Sequence, residues 1–247
     1  NGQYILDETD IVILTNTKDL LKPTRTNRKK NAILFGQPAF SSTSNSTNVF
    51  SPLPETGKEV ELISQILKKA GWKTEVFLGT DATEKQLKTM ATGQILHLAS
   101  HGFFEKKEDT EPNMASAMVQ SGIALAGAND TDKRDEDGLL TAFEVLSMDL
   151  DSTQLVVLSA CETGQGNLRR SEGIYGLQRA VRVAGASNMI ISLWKVDDTA
   201  TQELMVAFYL NWAFSKDIHA AFRAAQQTLR IKYSEPYYWG AFVLSGK

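Results

Sequence analysis

Two side chains in this sequence could act together as a nucleophile and its base. Cys161 is the only cysteine in 247 residues, and His101 is one of 3 histidines. A free thiol has a pKa of roughly 8.5 and stays mostly protonated at neutral pH; a nearby imidazole can take that proton and leave the reactive thiolate. Each group follows an apolar run: Leu-Val-Val-Leu at 155–158 leads to Ser159-Ala160-Cys161, and 94–100 leads to His101-Gly102. Glycine after the histidine lets a substrate approach the backbone, and the N–H groups of Gly102 and Cys161 are candidate donors to a developing oxyanion. The competing reading of Cys161 is core filler, the ordinary fate of a free cysteine. His97, four residues before His101, reads as a satisfied core histidine, and His219, in a C-terminal amphipathic stretch, as structural or surface.

These groups need strands to carry them. The run at 155–158 has the continuous, β-branched character of a strand buried on both faces of a parallel sheet. Further strands are expected at 32–36, 74–78, 94–100, 122–126, 188–193 and 239–245. Helices are expected at 58–70, 83–92 with Asp81 as N-cap, 139–146, 174–184 closed by Gly185, 199–214 and 218–233. Val60, Ile63, Ile66, Leu67 and Ala70 recur at helical spacing before the stop at Gly71. Residues 3–6 and 10–15 suggest a hairpin or edge pair and 19–30 a basic connector, so 1–31 is taken as an edge piece of a domain running 32–247. The stretches 37–57, 105–120, 129–138 and 164–173 read as loops, the first with a Ser/Thr/Asn cluster at 41–48.

Strands alternating with helices imply an α/β domain: a mainly parallel central sheet with helices on both faces. Such sheets place ligands at the carboxyl ends of their strands. If the strands ending at His101 and Cys161 run side by side, both groups emerge on one edge. A third strand, ending at Trp194, would put a pocket wall beside them, with Cys161 in the middle.

Composition narrows the alternatives. The net charge of −3 gives no general reason to expect nucleic acid as a partner. No apolar run approaches the ~18 residues of a membrane span, so no membrane is expected. One cysteine excludes an internal disulfide and a CxxC metal site and suits a reducing compartment, hence an expected cytoplasmic location. The start lacks both Met and a signal-like pattern, which reads as a domain cut from a longer protein. Phe35-Gly36-Gln37-Pro38 fits neither a GxGxxG nor a P-loop pattern, which disfavours a nucleotide-binding domain.

Six blocks, in order, carry a family resemblance: His-Leu-Ala-Ser-His-Gly (97–102), Ser-Gly-Ile-Ala-Leu-Ala-Gly-Ala (121–128), Asp-Gly-Leu-Leu-Thr-Ala-Phe-Glu-Val (137–145), Leu-Val-Val-Leu-Ser-Ala-Cys-Glu-Thr-Gly (155–164), Ser-Leu-Trp-Lys-Val-Asp-Asp (192–198) and Pro-Tyr-Tyr-Trp-Gly-Ala-Phe-Val-Leu (236–244). From about residue 32 onward the chain resembles the CHAT domain, a family named for its caspase-like character and often coupled to TPR repeats. The resemblance implies a three-layer fold like that of caspases and separase, the clan CD cysteine peptidases. It also implies a catalytic dyad of His101 and Cys161, a protein or peptide substrate, no metal and no cofactor. A TPR or other regulatory domain would lie upstream or act in trans. Lys195 departs from the proline common after this tryptophan.

In separase-like relatives, acidic residues after the Leu-Trp strand end help accept a basic side chain before the scissile bond. Asp197 and Asp198 follow Trp194 at a similar place, so these three are expected to bind substrate, with a basic residue preferred by charge pairing. The competing reading makes one aspartate the cap of the helix near Thr199. The acidic loop with Asp130, Asp132, Asp135, Glu136 and Asp137 could bind Ca²⁺, but it lacks EF-hand spacing and reads as solvated. Lys106-Lys107, Lys133-Arg134 and Arg169-Arg170 are candidate self-cleavage sites if the preference is basic. The alternative to a peptidase is a catalytically silent signalling or scaffold module that keeps the fold and acts by binding partners.

Overall fold

The computed structural model describes residues 4–9, 11–17, 21, 30–41, 49–90, 93–104, 114–130, 136–162, 170–195, 197–215 and 217–246, with backbone only at 114–115, 160–162 and 170–174. Five strands run parallel: β1 (Asn31–Pro38), β2 (Lys73–Gly79), β3 (Ile95–Phe104), β6 (Leu155–Glu162) and β7 (Asn188–Ser192). β8 (Phe242–Gly246) closes one edge antiparallel to β7, giving the order β2-β1-β3-β6-β7-β8. β4 (Ser121–Ala124) pairs antiparallel with the end of β3, and β5 (Leu139–Thr141) pairs antiparallel with β4.

The central strands are apolar on both sides, and their period of two sorts side chains into two layers. Leu34, Ile95, Val157 and Ile190 face α2 (Pro54–Lys69), α7 (Asp198–Phe214) and α8 (Ile218–Lys232). Their neighbours Ile33, Leu96, Val156 and Ile191 face α3 (Glu84–Thr89), α4 (Met114–Gln120), α5 (Ala142–Val145) and α6 (Arg170–Val183). The result is a three-layer α/β domain around a mostly parallel sheet. Each fully buried aliphatic side chain contributes about 1.5–3 kcal/mol. Gly36 is required where α2 meets the end of β1: a Cβ there would come 2.6 Å from the Thr56 carbonyl oxygen. That close approach sets the residues before α2 over the carboxyl end of the sheet.

Several local expectations change. Residues 3–6 and 10–15 form no hairpin among the described residues; α1 (Ile5–Glu8) is one helical turn, and Ile13 makes a parallel bridge to Ser245 beside β8. Arg230 pairs with Asp7 and lies over the Tyr4 ring, which holds this segment to α8. The expected helix at 139–146 is β5 followed by α5, because Leu139 and Leu140 find ladder partners in Ala124 and Ile123. The stretch 105–120 contains α4. Thr83, not Asp81, caps α3 by accepting from the Gln86 N–H. The expected strand at 239–245 is split into the turn α9 (Pro236–Trp239), with Trp239 buried, and β8. Residues 42–48 of the Ser/Thr/Asn cluster, most of the 19–30 connector, residues 164–169 of the expected loop at 164–173, and Lys106, Lys107, Asp132, Lys133, Arg134, Asp135 and Arg169 lie outside the described residues, while 170–173 begin α6 rather than end a loop. Among the described residues no helix is long and apolar enough to cross a membrane, and no group of His, Cys, Asp and Glu could hold a metal ion.

Candidate active site

β3 and β6 run further than the strands that flank them. The β1–β3 ladder ends at Gly36↔Ala99 and the β6–β7 ladder at Leu158↔Ile191. The β3–β6 ladder continues through Ala99↔Ser159 and Ser100↔Ala160 to His101↔Cys161 and Gly102↔Glu162. The backbone of Cys161 therefore lies directly opposite His101, on two adjacent parallel strands. β3 does not stop at His101, as its apolar run suggested. It continues to Phe104 because β4 replaces β1 as its partner, pairing Gly102 with Ile123. The Ser100 hydroxyl pins that replacement by donating to the Ala124 carbonyl at 2.5 Å. Gly102 is thus held in ladders on both sides.

The surroundings of His101 decide what its ring can do. The residue is 7% exposed. The rings of Phe40 and Phe50 lie 5.2 and 5.8 Å from its own. Its Nε2 meets the Ser51 carbonyl oxygen at 2.8 Å. A carbonyl only accepts, so Nε2 carries the hydrogen, and in the neutral ring Nδ1 keeps the lone pair. Burial pushes the His101 pKa below its ordinary value, with Lys195 adding to the effect; the Ser51 carbonyl and the charge of Asp198 oppose it. At neutral pH the ring is an uncharged base.

The two aspartates take different places. Asp197 is the N-cap of α7, its carboxylate accepting from the Ala200 N–H at 3.0 Å. Asp198 is the first residue of α7, exposed, and its charge acts on His101. Trp194 is exposed beyond the end of β7 and tethered: its Nε1 donates to the Tyr237 carbonyl at 3.0 Å, while the Tyr237 hydroxyl donates to the Lys195 carbonyl at 2.6 Å. The Leu193 N–H donates to the Ala241 carbonyl. α9 and the start of β8 thereby fix the segment that carries Trp194. β3, β6 and β7 are neighbours in that order, so the strand of Cys161 is the middle one.

His97 is the core histidine expected of it. It is wholly buried, with Nε2 2.8 Å from Glu59 Oε1 and Nδ1 3.1 Å from the Tyr209 hydroxyl. Burial raises the Tyr209 pKa well above normal, so that hydroxyl keeps its proton. His219 lies near the start of α8, half-buried, and burial lowers its pKa. Sequence reasoning missed Ser51 and Tyr237. Ser51 acts through its main chain and leaves no side-chain signature; Tyr237 stood within the 236–244 block, but no spacing argument joins it to Trp194.

Comparison with known proteins bears on the family and the fold. Tetratricopeptide repeat protein 28 of Mus musculus is 24% identical over 246 residues, covering 91% of this chain and 10% of that protein. The Homo sapiens protein of the same name is 22% identical over 278 residues, covering 100% of this chain and 11% of its own length. The chain thus spans about a tenth of each of these relatives. Among solved structures, the Arg-specific cysteine proteinase gingipain R superposes with a TM-score of 0.56 at 10% identity, over 95% of this chain and 48% of that one. A complex of the pro- and mature domains of Porphyromonas gingivalis RgpB gives 0.54 at 9% identity, over 95% and 49%. At such identity the likeness is one of fold. The model of the CHAT domain matches residues 1–247, end to end, and the chain belongs to that family.

Proposed function

We propose that this domain is a cysteine endopeptidase in which His101 activates Cys161. The observation that carries the reading is the in-register pairing of the two residues at the end of β3 and β6. Opposite positions in a parallel ladder share one face of the sheet on strands ~4.8 Å apart, within reach of an imidazole and a thiol. The Ser51 contact supports it, because it leaves Nδ1 as the nitrogen able to accept a proton.

In this scheme the Cys161 thiol gives its proton to His101 Nδ1 as sulfur attacks the scissile carbonyl. Collapse of the tetrahedral intermediate breaks the C–N bond, and His101 returns the proton to the leaving amine, leaving a thioester. Water, deprotonated by the same ring, hydrolyses the thioester and restores the thiol. The Cys161 and Gly102 N–H groups are the proposed oxyanion donors. Gly102 would have to serve the oxyanion from within two ladders, so Cys161 ranks first.

The substrate would be a protein or peptide cut after Arg or Lys. With Asp197 engaged as a cap, Asp198 carries this preference, and Trp194 supplies a wall. The similar fold of a proteinase described as Arg-specific supports the preference by analogy. Regulation would come from another domain of a longer protein, as the names and lengths of the relatives suggest, and the single cysteine favours a cytoplasmic location.

The test is labelling with peptidyl acyloxymethyl ketones bearing Arg or Asp next to the warhead. The Arg probe should label the chain, and Cys161→Ala and His101→Ala should each abolish labelling. Labelling by the Asp probe alone would overturn the basic preference. A thiol inert to both probes, with its activating domain present, would make this a scaffold module.

A further inference from the structure

The residue before the carbonyl that holds His101 is itself held. Ser51 follows Phe50, and the main chain of Phe50 is gripped by one side chain. Asn129, 2% exposed, accepts from the Phe50 N–H through Oδ1 at 2.9 Å and donates to the Phe50 carbonyl through Nδ2 at 2.9 Å. The same Nδ2 reaches the Ser41 hydroxyl at 3.2 Å, and the Asn129 N–H donates to the Phe40 carbonyl at 2.8 Å. One residue therefore ties residues 40–41 to residue 50. The two aromatic rings that flank His101 hang from those same points.

Asn129 is well placed to act as an anchor. It ends the turn after β4, whose Ala126 N–H donates to the Ala82 carbonyl and whose Gly127 N–H donates to the Ala39 carbonyl. β4 is in turn fixed to β3 beside His101 by Gly102↔Ile123. The path from the Asn129 amide to the imidazole is short and polar: amide to the Phe50 main chain, one residue on to the Ser51 carbonyl, then to Nε2. A carboxamide offers an acceptor and a donor to one peptide segment at once, which neither a carboxylate nor a hydroxyl reproduces here.

We propose that Asn129 is a positioning residue for His101, fixing the Ser51 carbonyl where it selects the Nε2-protonated tautomer and leaves Nδ1 as the proton acceptor. Neutral imidazole has two tautomers, and the wrong one offers an N–H where a base is needed; that error is costly in His-based catalysis. This inference rests on the dyad reading for its consequence, but not for its structural content.

The experiment uses the chain labelled with ¹⁵N-histidine, whose 3 imidazoles are few enough to assign by substitution. Two readouts are followed with pH: the ring ¹⁵N resonances and the rate at which iodoacetamide alkylates Cys161. Wild-type His101 should show the Nε2–H form alone. Asn129→Asp and Asn129→Ser should each convert it to a tautomer average and slow alkylation at neutral pH by about tenfold or more. The His97 resonances, set by Glu59 and Tyr209, should not move. Unchanged His101 resonances in variants that keep the His97 signals would overturn the proposal. So would loss of the His97 signals in both variants, which would make Asn129 a residue of the fold alone. A tautomer shift with an alkylation rate that also ignores His101→Ala would leave the positioning role standing and remove the dyad instead.

Discussion

His97 and His101 stand on the same face of β3, separated by four residues, and their surroundings divide them. His97 sits where α2 and α7 cover the sheet, and both ring nitrogens are taken by side chains, Glu59 and Tyr209. His101 sits past the last rung shared with β1, where a loop carbonyl takes one nitrogen and directs the other. A ring satisfied on both sides by buried groups is structural, because any proton it gave or took would leave a buried partner unpaired. A ring held on one side by an acceptor that cannot change is oriented and still able to accept. Asp197 and Asp198 repeat the division: one carboxylate is engaged by its own helix, and its exposed neighbour raises the pKa of His101 through its charge.

The sharpest way to break this comparison is to remove each histidine. His101→Ala should reduce cleavage after Arg at least ~10³-fold with little change in stability, read as kcat/KM beside a urea melt. His97→Leu should instead cost ~3 kcal/mol in the same melt by stranding Glu59, and leave the tautomer of His101 in place. Loss of activity in a His97→Leu protein that is folded at the assay temperature would erase the distinction. Next in size, Asp198→Asn should lower kcat/KM for an Arg substrate ~10-fold or more while sparing an uncharged one; equal loss on both would take Asp198 out of recognition. Asp197→Ala should cost ~1 kcal/mol of stability as a lost cap and leave the preference alone.

The smallest effect concerns pH. The pKa of His101 lies below its ordinary 6.5 in the fold because the ring is buried. The unfolded chain therefore binds the proton first as pH falls, so the stability tied to this residue is complete above ~6.5 and declines below it, towards the folded value. The melting temperature of wild type should fall relative to that of His101→Gln as pH drops from 7 to 5. For the same reason the acid limb of alkylation should fall below pH 6.5.

Much of this could be read along the chain. The runs at 94–100 and 155–158 announced buried strands, and the residues that follow them, His101 and Cys161, marked the candidate base and nucleophile. α2 was visible in the spacing of Val60, Ile63 and Leu67, all now in the core. β5 was not visible, because Leu139-Leu140 is too short to show a period and its strand character comes from β4. Which aspartate caps α7 could not be read either: two identical neighbours differ by one helical step of about 100°. Ser51 and Asn129 were silent for another reason. One works through its carbonyl, and the other through a main chain 79 residues away.

By itself, the sequence determined the alternation of strands and helices, the strand-borne positions of His101 and Cys161, and the family. Those follow from local periodicity and from residue types that appear in the order of the chain. Only the tertiary structure decided that the two positions are in register, which ring nitrogen bears the lone pair, and which aspartate caps α7. Those depend on ladders and hydrogen bonds between segments tens of residues apart, whose geometry no local pattern encodes.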